Sequence, residues 1–268
     1  LKSLNDADFE IVIHHADIAK YKKVVMKSHV TMSALVKFDL ATILADVDKA
    51  IYLDGDIIVR KDLSEFYSIP LEDYILAGVR DIGGEIGFNL HNVVGCGKYI
   101  NSGVMLLNLD KMRSQNTPET FLKNKLQEPA EWKMADQNTI NQVCHKETMY
   151  LPVKYNLLVT FCRDRYSVKD VNKFYGTDYS CRAEMLEDAI ILHLAGDALQ
   201  RPWKYWNGQY SLTWNKYYDM SPYSELDLNL LPNQRALNEI KVYVSRSIKK
   251  LWLMTIKSRL SCARYRYI

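Results

Sequence analysis

The chain has 268 residues, 48% hydrophobic and 25% charged, with 18 Tyr, only 11 Gly and a formal net charge of +3. That composition fits one large or two small folded domains and excludes a disordered or collagen-like polymer. Residues 241–268 hold eight cations and no acid, leaving 27 cations against 32 acids, a net of −5, on residues 1–240; such a body excludes a general nucleic-acid binder, whose affinity rests on phosphate neutralisation.

No run approaches the ~20 apolar residues of a membrane span. Cys96, Cys144, Cys162, Cys181 and Cys262 form no C-x-x-C pair. An odd, scattered set does not make a disulfide framework and points to a reducing cytosol. Leu1 stands in place of an initiator Met with no leader-like run behind it, so the sequence is expected to be a fragment.

In chain order, residues 9–14 (FEIVIH) alternate as a strand does, and residues 31–45 carry apolar side chains at helical spacing. Residues 49–59 (KAIYLDGDIIV) are expected to form a buried strand whose end delivers Asp54-Gly55-Asp56 to a sheet edge. Further strands are expected at 75–79, 103–108, 149–153 and 189–194, with helices near 118–127 and 135–145. Alternating strands and helices predict an α/β domain. From Trp203 onward the sequence turns to Trp and Tyr, and from about 233 it reads as helical and increasingly basic.

Two carboxylates one residue apart on a buried strand end repel each other and are poorly solvated. A divalent cation between Asp54 and Asp56 keeps both ionised, the alternative being a turn with both acids in water. His193 closes the apolar run AIILH, with Gly196 and Arg201 downstream. A histidine there is either a satisfied core residue or a third ligand, and one imidazole with two carboxylates leaves open positions suited to diphosphate oxygens. Asn101-Ser102-Gly103 reads as a turn before a strand. Asp136-Gln137-Asn138 reads as a helix N-cap. Walker A, G-x-G-x-x-G, G-x-S-x-G, H-E-x-x-H and zinc-type spacings are all absent.

Taken in order, KAIYLDGDIIVRKDLSEFY, YINSGVMLLNLDKMR, ADQNTIN, LPVKYN and HLAGDALQRPW resemble glycosyltransferase family 8, the retaining nucleotide-sugar transferases that include glycogenin and bacterial lipopolysaccharide and lipooligosaccharide galactosyl- and glucosyltransferases. The resemblance runs from about Phe9 to Tyr223, and the bacterial branch fits best. It implies a GT-A fold, a Rossmann-like mixed sheet flanked by helices, within a catalytic domain of residues 1–232 that includes a small aromatic-rich C-terminal subdomain. A basic amphipathic tail would follow at 233–268. It further implies a UDP-galactose or UDP-glucose donor, an oligosaccharide or lipid-linked glycan acceptor, and manganese, with magnesium as the substitute, on Asp54, Asp56 and His193.

By the same matching, Asp81, Asn101 and Asp136 would contact donor-sugar hydroxyls, and Gln137 would face the anomeric carbon opposite the leaving group. Gly55 and Ser102 would lie along the donor, Gly196 would approach the diphosphate, and Lys37 stands where the family often has Arg. The family's H-x-x-G-x-x-K-P-W appears with two extra residues and with Arg201 for Lys. The family's first uridine-binding βαβ portion is expected to be missing from residues 1–232. The basic tail is expected to dock on an anionic membrane, making the enzyme peripheral on the inner face of the cytoplasmic membrane. Two alternatives compete with the enzyme: a non-catalytic carbohydrate-binding or membrane-docking fragment, and a haloacid-dehalogenase-type phosphatase, which also uses D-x-D but wants Thr or Val where Ile58 stands.

Overall fold

The computed structural model describes residues 9–24, 32–129, 136–158, 166–195, 202–203 and 211–225. Contacts divide the chain into two units, Leu1–Ala195 and Gly196–Ile268. The expected boundary at 232/233 and the basic tail lie outside the described residues.

Among the described residues the first unit contains the strands β1 (Lys49–Leu53), β2 (Ile57–Val59), β3 (Leu76–Arg80), β4 (Ile100–Asn108), β5 (Thr148–Tyr150), β6 (Leu157–Leu158) and β7 (Ile191–His193). Its helices are α1 (Leu40–Ile43), α2 (Ser64–Ser68), α3 (Leu90–Val93), α4 (Leu109–Ser114), α5 (Thr117–Gln127), α6 (Gln137–Cys144), α7 (Val168–Tyr175) and α8 (Arg182–Asp188). One sheet has the order β1-β4-β3-β5 and a second the order β2-β7-β6. Both are mixed, because β3/β5 and β6/β7 run parallel while the other pairs run antiparallel.

The central strand β4 is buried along all but its last residue, which suits its place between two neighbours with helices over the sheet. Ile100, Met105 and Leu107 share a core with Leu35, Phe38, Leu76, Leu109, Phe121 and Ile140. The rings of Phe38 and Phe121 lie 4.9 Å apart. Local chemistry sets the helix ends: Asn108 Oδ1 accepts from Lys111 N to cap α4, while Ser167 and Asp170 form a capping box on α7, which closes at Gly176 with φ 71°. The expected helix at 31–45 is a 3-10 helix, Met32–Asp39, running into α1.

Three sequence expectations fail here. Residues 9–14 form no strand, and Phe9 and Val12 are 61% and 59% exposed. Alternation favours a strand only where a neighbouring ladder and a core face receive it, and neither does among the described residues. Residues 49–59 are two strands in two sheets, and β1 is a half-buried edge rather than a buried strand. Its ladder ends where Asp54 N donates to Gly103 O at 2.8 Å; β2 then pairs with β7, Ile57 opposite His193. Asn101, Ser102 and Gly103 lie inside β4 rather than in a turn before it, in the stretch where its register against β3 shifts, with Ser102 N and Gly103 N donating to the side chains of Gln137 and Asn101.

In the second unit, the described residues include α9 (Ser211–Asp219), where Trp214 and Tyr218 stack at 4.8 Å. No helix among the described residues is long and apolar enough to cross a membrane.

Candidate active site

The passage between sheets builds the site. The Asp54-Gly55-Asp56 turn leaves β1 beside Gly103 and enters β2 beside His193, so strand pairing alone brings two carboxylates to one imidazole. One ligand atom from each of Asp54, Asp56 and His193 lies within 4.8 Å of the others. His193 Nε2 is 3.1 Å from Asp56 Oδ1 and 3.9 Å from Asp54 Oδ2. The imidazole is 1% exposed, whereas the Asp54 and Asp56 side chains are 29% and 21% exposed, so the cluster has a buried wall and an open mouth.

Gly103 forms the back of this cluster. A β-carbon there would stand 2.2 Å from His193 Cε1 and 2.6 Å from Asp54 Oδ2, so any other residue displaces both. Two carboxylates and an imidazole, converging over a glycine that keeps the space clear, match the oxygen-rich, partly nitrogenous donor set of manganese or magnesium. A β-carbon at the exposed Gly55 would meet nothing within 4 Å among the described residues.

Lys37 links this cluster to a second group. Its buried Nζ lies 3.1 Å from Asp54 Oδ1 and 2.7 Å from Asp136 Oδ2, and donates to Ser102 O at 3.3 Å. Burial pulls the Lys37 ammonium down, but the charges of Asp136 and Asp54 outweigh it and hold the group above its ordinary value. Tyr52 donates its hydroxyl to Asp54 Oδ1 at 2.7 Å. Burial and then the Asp54 charge push the Tyr52 phenol far above its usual range, so it remains a donor. Asp136 does sit at the N-cap position of α6, but makes no side-chain cap bond there. Its carboxylate accepts instead from Lys37 and, at 2.7 Å, from Ser102 Oγ, because a buried ammonium outcompetes a backbone amide.

Behind these lies a floor of buried amides. Gln137 Oε1 accepts from Ser102 N and from Asn101 Nδ2, each at 3.1 Å, and Gln137 Nε2 donates to Asp81 Oδ2 at 3.1 Å. Asp81 also accepts from Gly84 N at 2.9 Å. Asn101 Oδ1 accepts from Gly103 N and from Asn156 Nδ2, and Asn156 Oδ1 faces His193 Nδ1 at 3.0 Å.

The family model for glycosyl transferase family 8 matches residues 2–207. The chain belongs to glycosyltransferase family 8. General stress protein A of Bacillus subtilis (strain 168) is 26% identical over 192 residues, 70% of this chain and 64% of that protein. The lipopolysaccharide 1,2-glucosyltransferase of Escherichia coli (strain K12) is 26% identical over 163 residues, 60% of this chain and 45% of that enzyme. The chain therefore spans less than two thirds of either relative. Among solved structures, the galactosyltransferase LgtC in complex with donor and acceptor sugar analogs superposes with a TM-score of 0.58 at 20% identity, covering 71% of this chain and 67% of that one. That likeness establishes the GT-A type of mixed α/β fold. Membership of family 8 sets the phosphatase alternative aside.

Lys37, Asp54, Asp56, Asp81, Asn101, Ser102, Asp136, Gln137 and His193 thus fall into one connected network, whereas Gly196 and Arg201 lie outside the described residues. Tyr52, Gly103 and Asn156 belong to the network; Tyr52 and Asn156 were not singled out by sequence, and Gly103 was read only as part of a turn. Each sits inside a block that carries the family resemblance, IYLDGD, INSGV and LPVKYN. Nothing local separates a glycine that keeps space clear from one that turns the chain.

Proposed function

We propose that this chain carries the site of a metal-dependent, retaining hexosyltransferase that moves galactose or glucose from a UDP-sugar to a glycan acceptor, in lipopolysaccharide or another surface polysaccharide. The observation that carries the reading is the convergence of Asp54, Asp56 and His193 over Gly103 in a family 8 chain. The similarity to a lipopolysaccharide 1,2-glucosyltransferase supports the choice of acceptor class. Manganese, or magnesium in its place, held by those three residues supplies positive charge against the diphosphate when bound.

The chain's own residues do the rest. Asp81, Asn101 and Asp136 bind donor-sugar hydroxyls, and Lys37 bridges Asp136 and Asp54 and holds both in place. During transfer the bond from the anomeric carbon to the diphosphate oxygen breaks, its electron pair leaving with UDP. The acceptor hydroxyl oxygen bonds to that carbon and its proton passes to the departing phosphate. Gln137 Oε1 is occupied by two donors, which makes it a poor nucleophile and favours attack from the leaving-group side. Gly196 and Arg201 serve the diphosphate in this reading, and the basic residues of 241–268 hold the enzyme against an anionic membrane where lipid-linked acceptors are assembled.

Incubation with UDP-galactose, UDP-glucose and a range of glycan acceptors tests this. The reading expects UDP release coupled to a product that keeps the donor's anomeric configuration. An inverted product would end the retaining assignment, and no release with any UDP-sugar would favour the non-catalytic carbohydrate-binding alternative.

A further inference from the structure

His193 has two ring nitrogens, and which of them the protein holds as an N–H decides which is left to ligate a cation between Asp54 and Asp56. The amide floor answers this without reference to any bound ion, because its polarity is anchored at backbone N–H groups, which can only donate. Gly103 N donates to Asn101 Oδ1 at 3.0 Å, and Ser102 N donates to Gln137 Oε1 at 3.1 Å. These two bonds fix the orientation of both side-chain amides. Asn156 approaches Asn101 Oδ1 at 2.9 Å and must therefore present its nitrogen there. Its oxygen is then turned to His193 Nδ1 at 3.0 Å.

An amide oxygen accepts only, so Nδ1 is held as an N–H, and Nε2 is the nitrogen that faces Asp54 and Asp56 and is left to ligate a cation between them. Asn156 is fully buried and the imidazole 1% exposed, so water does not compete for either contact. We propose that Asn156 is a positioning residue: held by Asn101 and the Gly103 amide, it fixes the Nδ1–H tautomer of His193 so that Nε2 is a ready-made metal ligand. The proposal rests on the metal reading above for its purpose, but the tautomer stands or falls on its own.

The test uses the 268-residue protein with Asn156→Leu and Asn156→Asp. Asn156→Leu keeps the branching and number of side-chain atoms and removes the acceptor, whereas Asn156→Asp keeps an oxygen at Nδ1 and sets a second carboxylate oxygen against Asn101 in place of the donated N–H. In metal-free protein long-range ¹H–¹⁵N spectra report the protonation of each ring nitrogen, the His193 signals being those lost in His193→Gln. Wild type and Asn156→Asp are expected to show protonated Nδ1, and Asn156→Leu to lose that proton in favour of the Nε2 that faces Asp56. Mn²⁺ affinity, read from the EPR signal of unbound ion, is expected to fall roughly 10–100-fold in Asn156→Leu and far less in Asn156→Asp.

An unprotonated Nδ1 in wild type, an unchanged Nδ1 in Asn156→Leu, or equal losses of Mn²⁺ in both variants would overturn the proposal. Should Asn156→Leu fail to fold, Asn156→Asp decides: retention of the tautomer supports the assignment and its loss refutes it. Wild type with the Nδ1–H tautomer but no Mn²⁺ binding would instead sink the metal reading while leaving the role of Asn156 intact.

Discussion

The acidic turn and the amide floor meet at His193 but are built in opposite ways. The turn, Asp54 to Asp56, is charged, partly exposed and placed where a strand crosses from one sheet to another. The floor, Asp81, Gln137, Asn101 and Asn156, is buried and apart from Asp81 uncharged, and its described hydrogen bonds are made within the protein. Groups meant to bind a cation must keep access to it and tolerate mutual repulsion until it arrives, whereas groups meant to hold others in place work best dry and fully satisfied. The contrast implies that changes in the turn cost function and spare the fold, and that changes in the floor cost both.

Lys37 ties the turn, through Asp54, to Asp136 and to the Ser102 that rests on the floor, so its loss should have the largest effect. Lys37→Met leaves the buried Asp136 carboxylate and its Asp54 neighbour without their cation. It should cost about 3–5 kcal/mol of stability, read by urea unfolding. Because the ammonium is raised in the fold, its contribution is complete below the ordinary lysine value of about 10.4 and is lost only as pH rises through the higher folded value. The gap between wild type and variant should therefore stay flat from about pH 6 to 9; a gap that closes in that window would break the assignment of Lys37 as a permanent bridge.

Asp56→Asn comes next. It should lower transfer by roughly 10²–10³-fold, as loss of an electrostatic stabiliser does, with a Tm shift under about 4 °C. His193→Ala should match that loss of transfer but unfold more readily, since it leaves Asn156 Oδ1 facing an empty buried space. Equal melting of the two variants would erase the distinction between turn and floor. Gly103→Ala pushes a methyl into His193 and Asp54, and a displacement of that size should cost about 10²-fold in transfer, with Mn²⁺ binding weakened in parallel. The smallest effect on transfer is expected from the basic tail. Deletion after Glu239 should abolish sedimentation with anionic liposomes at low salt while leaving transfer to a soluble acceptor nearly unchanged; equal liposome binding by the shortened chain would show that the tail is not the anchor.

Much of the fold was legible because burial writes itself into sequence. The continuous apolar run of β4 and the helical spacing of α5 and α6 were placed within a few residues of where they lie. Residues 9–14 and 189–194 show the limit: both are apolar runs that end at or beside histidine, yet only the second is a strand, because β2 and β6 flank it. Partners decide strands, and partners are distant in sequence. The site was legible where its residues offer metal-ligating side chains, as at Asp54, Asp56 and His193. It was illegible at Gly103 and Asn156, whose roles are a cleared volume and an amide orientation. Both depend on what folds against them.

The central claim is that Asp54, Asp56 and His193 hold the divalent ion on which sugar transfer depends. The direct measurement is UDP release from UDP-galactose or UDP-glucose by chelator-treated protein titrated with Mn²⁺, in wild type and in Asp56→Asn. The account predicts no release in chelator, saturable recovery with Mn²⁺ in wild type, and no comparable recovery in the variant. Full activity in chelator, or recovery of Asp56→Asn to the wild-type level at the same Mn²⁺ concentration, would contradict it.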